Sequence, residues 1–202
     1  AWARLILGNE SPMTGSGHHS APSLLFPMEA LFEAFVAKHL QKQVTIGLVL
    51  KTQARSHYLV RHQEQDWFRM KPDLLIHDDT TNRLVLDTKW KLLDAVKENG
   101  SDKYGLSQSD FYQLQAYGQS YLDGVGVLVL VYPRTSSFDQ PLPVFEFPKS
   151  EGLRLWVLPF CLREKRLLLP PCGSLDASLM SRVPIQRAIP EPASQPREAA
   201  FI

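Results

Sequence analysis

The stretch Val125-Gly-Val-Leu-Val-Leu-Val-Tyr132 constrains the fold more than any other part of the chain. It is apolar at nearly every position, and Pro133 ends it. A strand that alternates apolar with polar residues can leave one face in water. A strand that is apolar throughout needs cover on both faces, so this one belongs at the centre of a layered sheet. The segments around it read, in order, as helix, several strands, helix and strand. That order predicts an α/β fold: a central mixed β-sheet flanked by helices. At 202 residues and 44% hydrophobic content, the chain is long enough for one sizeable core.

The first helix is predicted from Met28, with Pro27 in its first turn. Leu31, Phe32, Phe35, Val36 and Leu40 recur at the helical period, and Glu29 and Glu33 flank that stripe at i, i+4. Val44–Leu50 is rich in β-branched residues and predicts a strand; Tyr58–His62 and Trp67–Met70 are weaker strand candidates. Ser107–Asp110 offers N-caps for a second helix running to about Leu122. Shorter strands are predicted at Val144–Phe147 and Leu153–Leu158. Residues 1–25 read as an N-terminal strand and loop, 26–169 as the folded domain, and 170–202 as a Pro-rich loose tail. The N-terminus has neither an initiator Met nor a signal-peptide pattern, so the chain reads as a piece of a longer protein. Two cysteines are too few for a disulfide framework, and no apolar stretch reaches membrane-spanning length; both point to a cytoplasmic protein. A formal net charge of +1 gives no general argument for nucleic-acid binding, so any such contact needs a local basic patch or a partner.

Chemistry concentrates in Pro72-Asp73-Leu-Leu-Ile76, the turn-like 77–83, and Leu84-Val-Leu-Asp87-Thr88-Lys89-Trp90. Two short apolar runs around an Asp/Asn-rich turn predict a β-hairpin. If it is symmetric about Thr80, Asp73 lies directly opposite Asp87. Their Cβ atoms are then roughly 4.5–5.5 Å apart, and two carboxylates so placed repel unless a cation sits between them. Mg²⁺ takes one or two carboxylates plus water and phosphate oxygens. Mn²⁺ can substitute for it, and the Thr88 carbonyl can add one more hard oxygen ligand. Lys89 lies two residues past Asp87 and shares its face. Leu74, Ile76, Leu84 and Leu86 face the other way. Two acids, a cation and an ammonium are what phosphodiester hydrolysis requires. A one-residue slip in register would turn one acid inward. Lys91, Lys97 and Lys103 are available for phosphate contacts. Trp90 faces away from Lys89 and is expected to pack. Asp78-Asp79 is assigned to the turn, and His18-His19 to a loop.

On the second helix Gln113 and Tyr117 are i, i+4 and project together. An Asp-x-Lys strand followed by Gln-x-x-x-Tyr resembles the RecB-like branch of the PD-(D/E)xK nucleases. The runs Phe26–Val36, Lys71-Pro-Asp73, Leu86–Lys91 and Ser107–Tyr117 look in particular like the McrC family, over roughly residues 1–160. That resemblance implies the restriction-endonuclease-like fold and a nuclease subunit acting on DNA that contains modified cytosine. It also implies a GTP-hydrolysing AAA+ partner of the McrB kind. By carry-over, Asp73 and Asp87 are metal ligands, Lys89 is the catalytic lysine, and Gln113 and Tyr117 help hold DNA. The superfamily's first-helix acid falls on Glu33, with Glu29 as the alternate. The family's N-terminal motor-binding region is missing here, so the chain alone is expected to lack regulated activity. Double-strand cleavage by one-site domains suggests a pairing of two nuclease domains. The rival readings are a catalytically inactive scaffold of the same fold and another RecB-like nuclease acting on RNA or on DNA ends.

Overall fold

The computed structural model describes residues 27–150 and 152–170, and Leu175. The expectations for residues 1–25, for His18-His19 and for most of the 170–202 tail lie outside the described residues. Within the described residues the chain forms two α-helices, nine strands and one 3-10 turn. The helices are α1 (Met28–Leu40) and α2 (Gln108–Tyr121). The strands are β1 (Val49–Thr52), β2 (His57–His62), β3 (Gln65–Met70), β4 (Leu74–His77), β5 (Asn82–Thr88), β6 (Gly126–Pro133), β7 (Phe145–Glu146), β8 (Leu153–Cys161) and β9 (Arg166–Leu167).

The main sheet runs β1-β4-β5-β6-β8-β7, with β9 on β8; β2 and β3 form a separate two-stranded sheet. Pairings β5–β6 and β6–β8 are parallel, and the other pairings are antiparallel. The sheet is therefore mixed, as predicted. β6 lies between β5 and β8 and is covered on both sides. Leu128, Leu130 and Tyr132 pack into the core with Leu114, Tyr117 and Tyr121 of α2. Val129 and Val131 pack into a second core with Phe32, Val36 and Leu40 of α1. The apolar run thus obtained the two-sided cover that it demanded.

In α1 the buried stripe is Phe32, Val36 and Leu40, spaced by four, while Leu31 stays exposed. Pro27 stands one position earlier than expected, at the N-cap, and its carbonyl accepts from the Leu31 amide at 3.1 Å. The predicted strand Val44–Leu50 is largely absent, because only its last two residues join β1. Gly47 adopts φ +93 and turns the chain, and Ile46 is fully exposed. Val44 and Leu48 pack on the α1-side core, but beyond an isolated bridge at Val44 no described strand pairs along the segment, and β-branched propensity alone does not hold a strand. β8 runs three residues further than predicted, paired in parallel with β6 from Leu153 to Phe160. β9 was not anticipated. Pro170 and Leu175 are buried, and Leu175 belongs to the α1-side core.

The hairpin register matches the symmetric expectation where it matters. Leu74 pairs with Leu86, Leu75 with Val85 and Ile76 with Leu84, and a bulge then shifts His77 to Asn82. In the turn, Asp78 accepts the Thr80 and Thr81 amides at 2.9 and 2.8 Å and pairs with Arg83 at 2.6 Å. Leu74, Ile76, Leu84 and Leu86 point to the α1 side, and Leu75 and Val85 point to the α2 side. Both faces of the hairpin are core, so its polar chemistry is confined to the end where β4 begins and β5 stops.

Candidate active site

β5 ends at Thr88 beside β6, and the Lys89 amide still donates to the Val131 carbonyl at 2.9 Å. Carboxyl ends of parallel strands in open α/β sheets are where ligand crevices form. Strand alternation carries Asp87 and Lys89 to the α2 side, in phase with Val85. Extending the Leu74–Leu86 pair by one step brings Asp73 beside Asp87. Asp73 Oδ2 accepts from both the amide and the hydroxyl of Thr88, each at 2.7 Å. These bonds fix the Asp73 carboxylate against the end of β5. The role seen for Thr88 is therefore to orient Asp73.

Asp87 is 3% exposed. Lys89 Nζ lies 2.6 Å from Asp87 Oδ2 and 3.6 Å from Asp110 Oδ1. The 2.6 Å contact is an ion pair without hydrogen-bond alignment, and Asp87 Oδ2 is buried with no hydrogen-bond partner. Burial pushes the Asp87 carboxyl up to about 6, the neighbouring Asp73 adds to this, and Lys89 opposes it. Burial by itself would lower the Lys89 ammonium, but Asp87, with help from Asp110 and Asp73, holds it above the ordinary lysine value. Burial is the first cause at Asp87; the crowding of carboxylates around one ammonium adds to that shift and accounts for the one at Lys89.

Lys89 Nζ also donates to Gln113 Oε1 at 3.2 Å. Gln113 Nε2 donates to the Tyr117 hydroxyl at 2.8 Å, and that hydroxyl donates to the Lys71 carbonyl at 3.1 Å. The two helix residues thus form a chain from the ammonium back to the backbone that leads into Asp73. Sequence spacing had placed both on one face of α2, and the structure directs that face at Lys89.

α1 approaches from the other side of the sheet, and Glu29 and Glu33 line the same cleft of about 620 Å³ as Asp73, Asp87, Lys89 and Asp110. Glu33 is half-buried and its Oε1 accepts from Gln53 Nε2 at 3.0 Å, while Glu29 is exposed. Gln53 is itself tied to the site, since its amide donates to the Asp73 carbonyl at 2.7 Å. Lys91 lies on the cleft wall and donates to the Gly105 carbonyl at 2.7 Å, whereas Lys97 and Lys103 are not among the cleft residues. Trp90 packs on Phe32, ring centroids 5.4 Å apart, as its phase on the strand required.

Three participants escaped the sequence reading. Asp110 was taken for an N-cap, but Ser107 holds that position and Asp110 sits within the first turn, facing Lys89. Its position three residues before Gln113 and seven before Tyr117 was the available signal. Tyr132 donates to Asp110 Oδ2 at 3.4 Å, and its hydroxyl is held above the ordinary tyrosine value by burial and by Asp110. Gln53, at φ 48 in a turn, had no sequence signal at all.

Among the described residues no three His, Cys, Asp or Glu side chains lie close enough to share one ion. The residues nevertheless fit a hard divalent cation that keeps part of its water. Asp73 and Asp87 stand together, one buried carboxylate oxygen lacks a hydrogen bond, and the local charge is strongly negative.

Comparison with known proteins places the chain at the level of family. A solved structure of Thermococcus gammatolerans McrB AAA+ hexamers with bound McrC, a half-complex refined from a tetradecameric assembly, is similar to the chain at 21% identity and a TM-score of 0.49. The match covers 70% of this chain and 30% of the chain in that structure. No curated protein matches. The family model for the McrBC 5-methylcytosine restriction system component matches residues 1–133, well over half of the sequence, and the chain belongs to that family.

Proposed function

We propose that this chain is the McrC-type nuclease component of a modification-dependent restriction system: a metal-dependent endodeoxyribonuclease of the PD-(D/E)xK kind. Its substrate on this reading is DNA containing modified cytosine, and its partner is a McrB-like AAA+ GTPase. The observation that carries the reading is the cluster of Asp73, Asp87 and Asp110 around Lys89, with Asp87 buried and its Oδ2 without a hydrogen bond. A scaffold module gains nothing from such a cluster, because burying an acid among further carboxylates costs folding free energy.

Asp73 and Asp87 would hold the ion with the Thr88 carbonyl as a further oxygen donor, and Glu33 on the cleft wall would reach it through one of the ion's waters. Bound there, Mg²⁺, or Mn²⁺ in its place, supplies Lewis acidity toward the scissile phosphate and the attacking water. Lys89 remains protonated at neutral pH, so it acts as a fixed cation beside the developing phosphorane charge and not as a base. Gln113, itself held by Tyr117, gives the ammonium a neutral acceptor beside its carboxylates. Lys91 adds a phosphate contact on the cleft wall. The deciding assay is cleavage of methylated and unmethylated plasmid, with and without Mg²⁺ and a GTPase partner. Cleavage confined to methylated DNA with both additions is the expected result; indifference to Mg²⁺ would refute the reading.

A further inference from the structure

The β2–β3 ribbon has no part in either core beyond its base. His57 meets Tyr121 edge-on at 4.4 Å, and Met70 is buried. From there outward the ribbon stands in solvent. Leu59, Val60, Trp67 and Phe68 are exposed by 54, 44, 45 and 68%. An isolated two-stranded sheet with so little burial is marginal in water, and exposed aromatics add no stability. One face, read from the register, presents Tyr58 opposite Arg69 and Val60 opposite Trp67. Arg69 donates to the Tyr58 hydroxyl and its guanidinium lies 5.1 Å from that ring's centroid, and the His62 ring lies tilted against Trp67 at 4.9 Å. Phe68 sits at φ 57, where a bulky side chain is strained, and the Leu59–Phe68 pair is missing from the ladder. Strain of this kind persists where a side chain is held in place for a purpose.

Charge separates the occupants. Residues 51–71 carry five Lys or Arg against two acids, a net +3 in a chain whose whole formal charge is +1. Arg61 is spent on Asp66 at 2.9 Å, but among the described residues Lys51, Arg55, Arg69 and Lys71 have no acidic partner. Basic side chains interleaved with exposed aromatic rings suit a polyanion with flat bases, and a two-stranded ribbon is of a size to enter the major groove. The ribbon also leads directly into the site. Asp73 follows Met70 by three residues, so Trp67 lies at most about 20 Å from it along the chain, some six base-pair steps.

We propose that the β2–β3 ribbon is a DNA-gripping arm that holds the duplex flanking the scissile phosphate. This inference rests on the nuclease reading above. The test measures binding of a fluorescein-labelled 30-base-pair duplex to the full chain by anisotropy in chelator, across a salt series. The variants are Trp67→Ala with Phe68→Ala, and Arg55→Glu with Arg69→Glu. All four side chains are exposed on the arm or its approach, and circular dichroism checks that each variant folds. The aromatic variant is expected to lose about 10-fold or more in affinity with its salt slope kept. The charge-reversed variant is expected to bind more weakly with a slope shallower by about two. Wild-type affinity and slope in both variants would overturn the arm while leaving the nuclease reading intact. A change in self-association in place of DNA affinity would overturn it in favour of a contact between copies. Failure of the wild type to bind DNA or, with its partner, to cleave it would overturn the nuclease reading itself.

Discussion

Asp87 is the residue whose environment matters most. Mutual repulsion with Asp73 is only the second reason its carboxyl is raised; burial is the first. The sign of the linkage follows from this. The folded value of about 6 lies above the ordinary 3.8, so Asp87's contribution to metal-free stability is complete below about pH 3.8 and is lost as pH rises through about 6. Asp87→Asn should therefore melt higher than the parent in chelator at pH 7.5, by about 1–3 kcal/mol, and the difference should vanish below pH 4. Denaturant titrations at the two pH values check this, and a variant less stable at pH 7.5 would refute the account. For catalysis, Asp87→Ala should abolish Mg²⁺-dependent cleavage. Lys89→Ala should lower the rate by about 10²–10³-fold, the usual loss when one fixed charge at a developing anion is removed. Retained folding in both, seen by circular dichroism, separates loss of chemistry from loss of structure.

At the scale of elements, α2 is what turns a charged hairpin end into an organised site. Tyr117→Phe removes the link between Gln113 and the Lys71 carbonyl without changing bulk. Its expected signature is about 1 kcal/mol of lost stability with a larger fall in turnover than in DNA affinity, read from single-turnover kinetics at saturating DNA. The helix sits close to the sheet at Gly118, where an added Cβ would meet Leu153 Cδ2 at 2.7 Å and Cδ1 at 2.8 Å. Leu153 is buried and has little room to yield. Gly118→Ala should thus cost about 1–3 kcal/mol in thermal or chemical unfolding, by overpacking. It should also lift the N-terminal part of α2 away from Lys89, lowering cleavage as well as stability.

At the scale of the whole molecule, two helices on opposite faces of one mixed sheet bring their first turns to the same rim. α2 contributes Asp110 and Gln113 to the cleft, and α1 contributes Glu29 and Glu33. Both glutamates line it, but Gln53 holds only Glu33, and the same loop residue bonds to the Asp73 backbone. Glu33→Gln is expected to reduce Mg²⁺-dependent cleavage more than Glu29→Gln, with cleavage rates against Mg²⁺ concentration as the check; the reverse order would assign the first-helix role to Glu29. Among the described residues no helix is long and apolar enough to cross a membrane.

Local pattern alone determined the two helices, the two-sided burial of β6 and the hairpin register. Each of these depends on a period or an apolar count that neighbours in sequence set: the Leu74–Leu86 pairing is the one that puts both apolar sets inward. It also determined that Asp87 and Lys89 share a face, by strand alternation, and that Asp73 joins them in the symmetric register. Only the tertiary structure decided that Val44–Leu48 would not be a strand, since the ladder that starts at Val49 is a property of the assembled sheet. Only packing decided that Asp110 joins the site, that Gln53 selects Glu33, and that Asp87 is dry enough to titrate near 6. Those facts rest on distances between segments far apart in the chain and on exclusion of water, and neither quantity is written in the order of the residues.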